Sequence, residues 1–192
     1  KEELEILRDM EKHRVTPRPL GIVQQNGVDT LLMEQVKGVS LAQWLNQTAG
    51  ERTMKESMAV GAGLFDSHSI LHEKGEIVWR DGKPANVMLS DGSQDFETGV
   101  VMVDMGIANN LRSDTGFTSY SEVAGTAKYM APEQMKDGLH KTTQKEDVFS
   151  CGLILYELVA GEKFPVETIQ KMQKVDLTIS EVDEEADKNI RE

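Results

Sequence analysis

The chain has 192 residues, 39% hydrophobic and 28% charged, with a formal net charge of −12 at pH 7. That length suits one domain with its own core, and a negative surface repels nucleic acid and anionic membrane, so neither is an expected partner. The single cysteine, Cys151, excludes an intrachain disulfide; with no secretory leader pattern and no apolar run long enough for a membrane span, the expected location is intracellular, in the cytoplasm.

Leu4, Ile6, Leu7 and Met10 recur at helical spacing, so residues 1–13 predict an amphipathic helix, which Pro17 and Pro19 end. "LGIVQQNGVDTLLMEQV" predicts two strands joined at Asn26-Gly27, a strong short-range hairpin signal. Ser40 is a candidate cap for a short helix reaching Asn46. Residues 52–74 predict a long helix with Met54, Met58, Leu64, Phe65 and Leu71 on one face and Gly75 at its end. The "GAG" at residues 61–63 lies inside that helix and follows no strand, which makes it a poor phosphate loop. "EIVWR", "NVMLS" and "GVVMVDMG" are short strand candidates, with a polar hairpin loop before the last. Residues 109–124 are aperiodic and rich in Ser and Thr, predicting a long loop of the kind that is functional or disordered. "DVFSCGLILYELVAG" is apolar nearly all round, which predicts a helix buried on every side and closed by Gly161. A short helix near residues 166–172 and an acidic tail follow.

The strings "RDGKPAN", "DMG", "GTAKYMAPE" and "DVFSCG" occur in that order. Together they resemble the signatures of eukaryotic-type Ser/Thr protein kinases, whose motifs run H-R-D-x-K-x-x-N, D-F-G and A-P-E. The resemblance extends from residue 1 to about residue 164 and implies an α+β, protein kinase-like fold. It implies a partial small lobe, one helix and a strand pair, before a mainly helical large lobe. On that reading residues 1–37 are a remnant of the small lobe and hinge, 38–175 an incomplete large lobe, and 176–192 an acidic tail.

The implied reaction transfers the γ-phosphate of MgATP to Ser or Thr hydroxyls of a protein substrate, which asks a protein for positioning and charge neutralisation. By resemblance, Asp81 orients the substrate hydroxyl and accepts its proton. Lys83 sets positive charge against the transferring group, and Thr126 bridges to both. A lone Asp in a turn reads as a backbone cap; Lys83 and Asn86 beside Asp81 change that reading. Asn86 and Asp104 are the implied Mg²⁺ ligands, both oxygen donors suited to a hard cation. Met33 matches the gatekeeper, Glu34 and Val36 the hinge carbonyl and amide that hold adenine, and Met88 the residue under the ring, although a Met stripe serves a core equally well. Glu3 matches the helix Glu that pairs with the ATP-binding Lys, with a surface Glu as the alternative. Glu133 matches a carboxylate paired with a distant Arg, and Asp147 one that anchors the catalytic loop through backbone hydrogen bonds. Arg80 matches an Arg that holds a phosphate on the activation loop. That loop here offers Ser113, Thr115, Thr118, Ser119, Tyr120 and Ser121, so a regulatory kinase is an expected partner.

The chain departs from the pattern at Trp79 for His, Gly82 for Leu and Met105 for Phe, none of which removes a charge or metal ligand. Trp79 keeps the packing but is only a donor, and Gly82 is expected to loosen the loop. No G-x-G-x-x-G and no V-A-x-K precede Glu3, so the chain reads as a piece of a longer kinase and is expected to show little turnover alone. The alternative is a pseudokinase acting as a scaffolding module, against which the retention of Asp81, Lys83, Asn86 and Asp104 argues. A small-molecule phosphotransferase accounts for the Asp and Asn but not for "GTAKYMAPE".

Overall fold

Local turn chemistry sets the first strand pair in the computed structural model, which describes residues 4, 7–8, 10–75, 77–91, 99–104, 109–110, 127–135, 143–165 and 167–168. β1 (Pro19–Gln25) and β2 (Val28–Met33) run antiparallel across Asn26 (φ 54°) and Gly27 (φ 79°). Two successive positive φ values match the right-handed twist of the flanking strands, which is why Asn-Gly forms this turn. A second sheet has the order β3 (Gly38–Ser40), β5 (Val87–Ser90), β6 (Val100–Met102), antiparallel throughout, with Val39 opposite Leu89 and Leu89 opposite Val100. The third pairs β4 (Ile77–Val78) with β7 (Asn109–Asn110). The expected long loop therefore begins as a strand: Asn109 and Asn110 pair with Val78 and Ile77, a long-range contact that carries no periodic signal.

Capping boxes start two helices. Ser40 Oγ accepts from Gln43 N while Gln43 Oε1 accepts from Ser40 N, which opens α1 (Leu41–Gln47). Thr53 and Glu56 do the same for α2 (Met54–Ile70), so that helix begins after Arg52. It passes into a π-turn at Leu71–Gly75. α3 (Lys145–Ala160) ends at Gly161, whose left-handed φ of 74° lets its N–H reach the Glu157 carbonyl at 3.2 Å. Glu167 and Thr168 are helical beyond it.

The buried face of α2 is not the expected methionine stripe. Met54 and Met58 are 57% and 50% exposed and Phe65 is exposed too, whereas Ser57, Val60, Gly61, Leu64, Ser67, His68 and Leu71 are buried. These positions keep the helical repeat, but small and polar members hide it from hydropathy. Their smallness has a cause, because α2 packs closely on α3: a Cβ on Gly61 would sit 2.8 Å from Leu155 Cδ1. α3 is also less enclosed than its composition suggests, with Val148 58% exposed while Ile154 and Leu158 are buried. Arg52 ties the three helices together. Its guanidinium donates to Leu158 O at 3.3 Å, Thr48 Oγ1 at 3.2 Å and Ser57 Oγ at 3.0 Å, and it stacks over Trp44. A cation at the C-terminal end of α3 also opposes the helix dipole favourably. One core runs from Leu7 and Met10 through Leu41, Val60, Leu64, Trp79 and Met102 to Ile154 and Leu158. No helix among the described residues is long and apolar enough to cross a membrane.

Candidate active site

The segment 79–86 leaves β4 as a loop and ends in a 3-10 turn, Pro84–Asn86, closed by Asn86 N on Lys83 O at 2.9 Å. Within it, Lys83 Nζ lies 2.6 Å from Asp81 Oδ2, and Asn86 Nδ2 donates to the same oxygen at 2.8 Å and to the Asp81 carbonyl at 3.1 Å. One Asp81 oxygen is thus fixed between a cation and an amide. The other, Oδ1, is buried and has no hydrogen-bond partner among the described residues. Buried acceptors are nearly always paired, so an orphan beside a lysine is a functional signal. The Asn86 amide spends its nitrogen on Asp81 and leaves its Oδ1 without a hydrogen bond among the described residues.

Asp104 reaches this loop through the sheet. Val103 N donates to Asn86 O at 2.9 Å, directly beyond the Val87–Met102 rung of β5 and β6, so Asp104 leaves the strand end one residue from Asn86's partner. Its side chain is exposed and makes no hydrogen bond or ion pair among the described residues. Arg80 (φ 70°) and Asp104 (φ 61°) are both non-glycine residues in the left-handed region. Such backbone costs about 1–3 kcal/mol each and persists where surrounding bonds over-determine it.

Asp147 supplies those bonds for the loop. Fully buried in the first turn of α3, its Oδ2 accepts from Trp79 N at 2.8 Å and from His72 Nε2 at 2.9 Å, and its Oδ1 from Arg80 N at 2.7 Å. Gln134 Nε2 adds a 3.4 Å bond to the Arg80 carbonyl. Trp79 is wholly buried, and its indole N–H finds an acceptor in Val103 O at 3.2 Å, which binds the loop to the end of β6. Its ring rests on His68, with centroids 5.3 Å apart. Burial holds the His68 imidazole down, to about 4 from an ordinary 6.5; the nearby Asp147 carboxylate opposes the shift. Gly82 is not a loosened position. A Cβ there would collide with Ser150 Oγ and come within 2.8 Å of Ser150 Cβ, so α3 already fills the space.

A family comparison bears on these geometries. The protein kinase domain model matches residues 1–191. The chain belongs to the protein kinase domain family. It is 35% identical over 133 residues to the serine/threonine-protein kinase PknB of Mycobacterium tuberculosis (strain ATCC 25618 / H37Rv), covering 69% of this chain and 20% of that protein. It is 33% identical over 132 residues to PknB of Mycobacterium leprae (strain TN), with the same coverage. To the serine/threonine-protein kinase PrkC of Bacillus subtilis (strain 168) it is 30% identical over 138 residues, 72% of this chain and 20% of that protein. The chain therefore spans about a fifth of the length of these relatives.

Kinase motifs that are short in sequence come together: Asp81, Lys83 and Asn86 touch, and Asp104 follows through the sheet. Met88, on β5, is half-buried and opposite Ser40 and Val101. Met33 ends β2 and packs on the core, while Glu34 bonds Arg18 with its backbone N–H, at 2.9 Å, and with both carboxylate oxygens. Glu34 and Val36 line a groove with Arg8, Lys12 and Arg14. Glu133 is half-buried with no ion-pair partner among the described residues. The Arg80 guanidinium lies 3.8 Å from Glu146 Oε2, both side chains being buried. Glu3, Met105, Thr126 and the activation-loop residues 113–121 lie outside the described residues. The sequence reading missed His68, His72 and Glu146. An i, i+4 histidine pair was the available signal for the first two.

Proposed function

We propose that this chain is the catalytic segment of a Ser/Thr protein kinase, one that transfers the γ-phosphate of MgATP to Ser or Thr hydroxyls of a protein substrate. The observation that carries the reading is the Asp81 carboxylate, with Oδ2 clamped by Lys83 and Asn86 and Oδ1 buried without a partner among the described residues. That free oxygen accepts the substrate hydroxyl proton, while the clamp keeps the carboxylate from turning away. Lys83 holds Asp81 through its ammonium, and its charge is assigned to the negative charge that builds on the transferring group. Thr126 is assigned the bridging role to Asp81 and Lys83 that its motif implies.

Asn86 Oδ1 and the Asp104 carboxylate form an all-oxygen donor set, the kind Mg²⁺ prefers, and neither is committed elsewhere among the described residues. When bound, Mg²⁺ neutralises phosphate charge and aligns the phosphates. Met33, Glu34, Val36 and Met88 are assigned to adenine, residues 1–37 to the small lobe and hinge, 38–175 to the large lobe, and 176–192 to an acidic tail. Phosphorylation of the activation loop by a regulatory kinase is part of the same proposal. The test is ATP binding by the protein that carries this chain: binding that requires Mg²⁺ and loses that requirement in Asp104→Ala supports the assignment. Binding indifferent to Mg²⁺ in both proteins refutes it.

A further inference from the structure

We propose that His68, His72 and Asp147 form a binding site for a borderline transition-metal ion, Zn²⁺ foremost, directly behind the catalytic loop. The proposal does not depend on the kinase reading. His68 and His72 are four residues apart, one turn of the same helical run, and point their rings at the start of α3. One ligand atom from each, with Asp147 Oδ2, all lie within 4.8 Å of one another. His72 Nε2 is 2.9 Å from Oδ2 and His68 Nδ1 is 4.0 Å from it. Tetrahedral ligation at ordinary Zn–N and Zn–O lengths sets ligand atoms about 3.4 Å apart. The two separations from Asp147 Oδ2 bracket that value, and with all three ligand atoms within 4.8 Å of one another, side-chain adjustment of about an ångström draws them around an ion.

A second observation points the same way. His68 is only 5% exposed, yet neither ring nitrogen has a hydrogen-bond partner among the described residues. An apolar ring would pack against Trp79 and His72 without stranding two polar atoms. An imidazole in that position is satisfied by a metal ion. Two imidazoles and one carboxylate suit Zn²⁺, Co²⁺ or Ni²⁺ rather than Mg²⁺ or Ca²⁺, which prefer oxygen. A cleft of about 300 Å³ lined by Phe65, His68, Ser69, His72 and Cys151 adjoins the cluster and leaves room for water in the fourth position.

Ligation has a consequence for the loop. His72 Nε2 now carries the proton it donates to Asp147; on binding metal through Nε2, the neutral ring moves that proton to Nδ1. Asp147 Oδ2 is then shared between the ion and Trp79 N–H, so metal binding loosens the hydrogen bond that holds the loop at Trp79.

The test uses the full chain without a histidine tag, freed of metal with chelator, and its His68→Phe variant, which keeps an aromatic ring in the same space. Titration with ZnCl2 should show one ion per chain and raise the melting temperature of the parent chain, with no such shift for His68→Phe. CoCl2 should give the ligand-field absorption of a four-coordinate site in the parent alone. Amide exchange at Trp79 should quicken when Zn²⁺ binds. No Zn²⁺-dependent shift in the parent overturns the proposal, and so does equal binding by the two proteins, which would put the ion on other groups.

Discussion

Replacing Asp147 with alanine should cost more stability than any surface charge in this chain. The carboxylate is fully buried and accepts from Trp79 N, Arg80 N and His72 Nε2 at 2.8, 2.7 and 2.9 Å. Alanine strands those donors. His72 escapes part of the penalty by moving its proton to the other nitrogen, but a backbone N–H has no such recourse. Each buried donor left unsatisfied costs about 1–3 kcal/mol. Relief of the desolvated carboxylate offsets some of this, so the net loss should be about 3–5 kcal/mol. Domains of this kind have about 5–15 kcal/mol in total, so the variant should remain folded in part of the urea range. Equilibrium urea unfolding of parent and variant measures the loss directly, and hydrogen exchange should show the Trp79 and Arg80 amides losing protection first. Asp147→Asn should fall between, since its oxygen still serves one amide while its NH2 faces the other. A loss under about 1 kcal/mol, or unchanged protection at those two amides, would refute the reasoning.

Gly82→Ala should destabilise the chain by about 1–3 kcal/mol through the clash with Ser150. Ser150→Gly should restore most of that loss in the double variant, and an additive double variant would show that the clash is not the cause. Acid should remove a further share of stability through His68. Its pKa is lowered in the fold from 6.5 to about 4, so the unfolded chain binds the proton more readily. The stabilisation is therefore present above about pH 6.5 and lost as pH falls toward 4, roughly 3 kcal/mol in all. In chelator, urea midpoints at pH 7.5 and 4.5 should differ less for His68→Phe than for the parent; equal differences would sink the linkage.

Features written within a few residues were legible in the sequence. Asn26-Gly27 makes its turn by backbone preference alone, and Asp81, Lys83 and Asn86 meet because they share one short loop. The capping boxes were as local, and attention to the Thr53–Glu56 spacing would have placed the start of α2 at Met54. Other features depend on tertiary contact. Ser57, Gly61, Ser67 and His68 are core positions only because α3 and β6 lie against them: Ser57 Oγ donates to Leu158 O, and Ser67 Oγ to Val100 O. Hydropathy ranks Met54 and Met58 above all of these, and so misassigns the face. Asp147 joins residues 68 and 75 positions away from it in sequence. Its anchoring role was readable from the kinase motif, whereas its contact with His72 came only with the fold. Gly82 shows the same limit: a missing side chain reads as slack until Ser150 is found in its place.

The most direct measurement of the central claim is transfer of the labelled γ-phosphate of ATP to a protein substrate, by the protein that carries this chain and by its Asp81→Asn variant. The account predicts label on Ser or Thr, and a kcat lowered by about 10²–10⁴-fold in the variant with KM for ATP little changed. Undiminished transfer by Asp81→Asn, or label confined to Tyr, would contradict it.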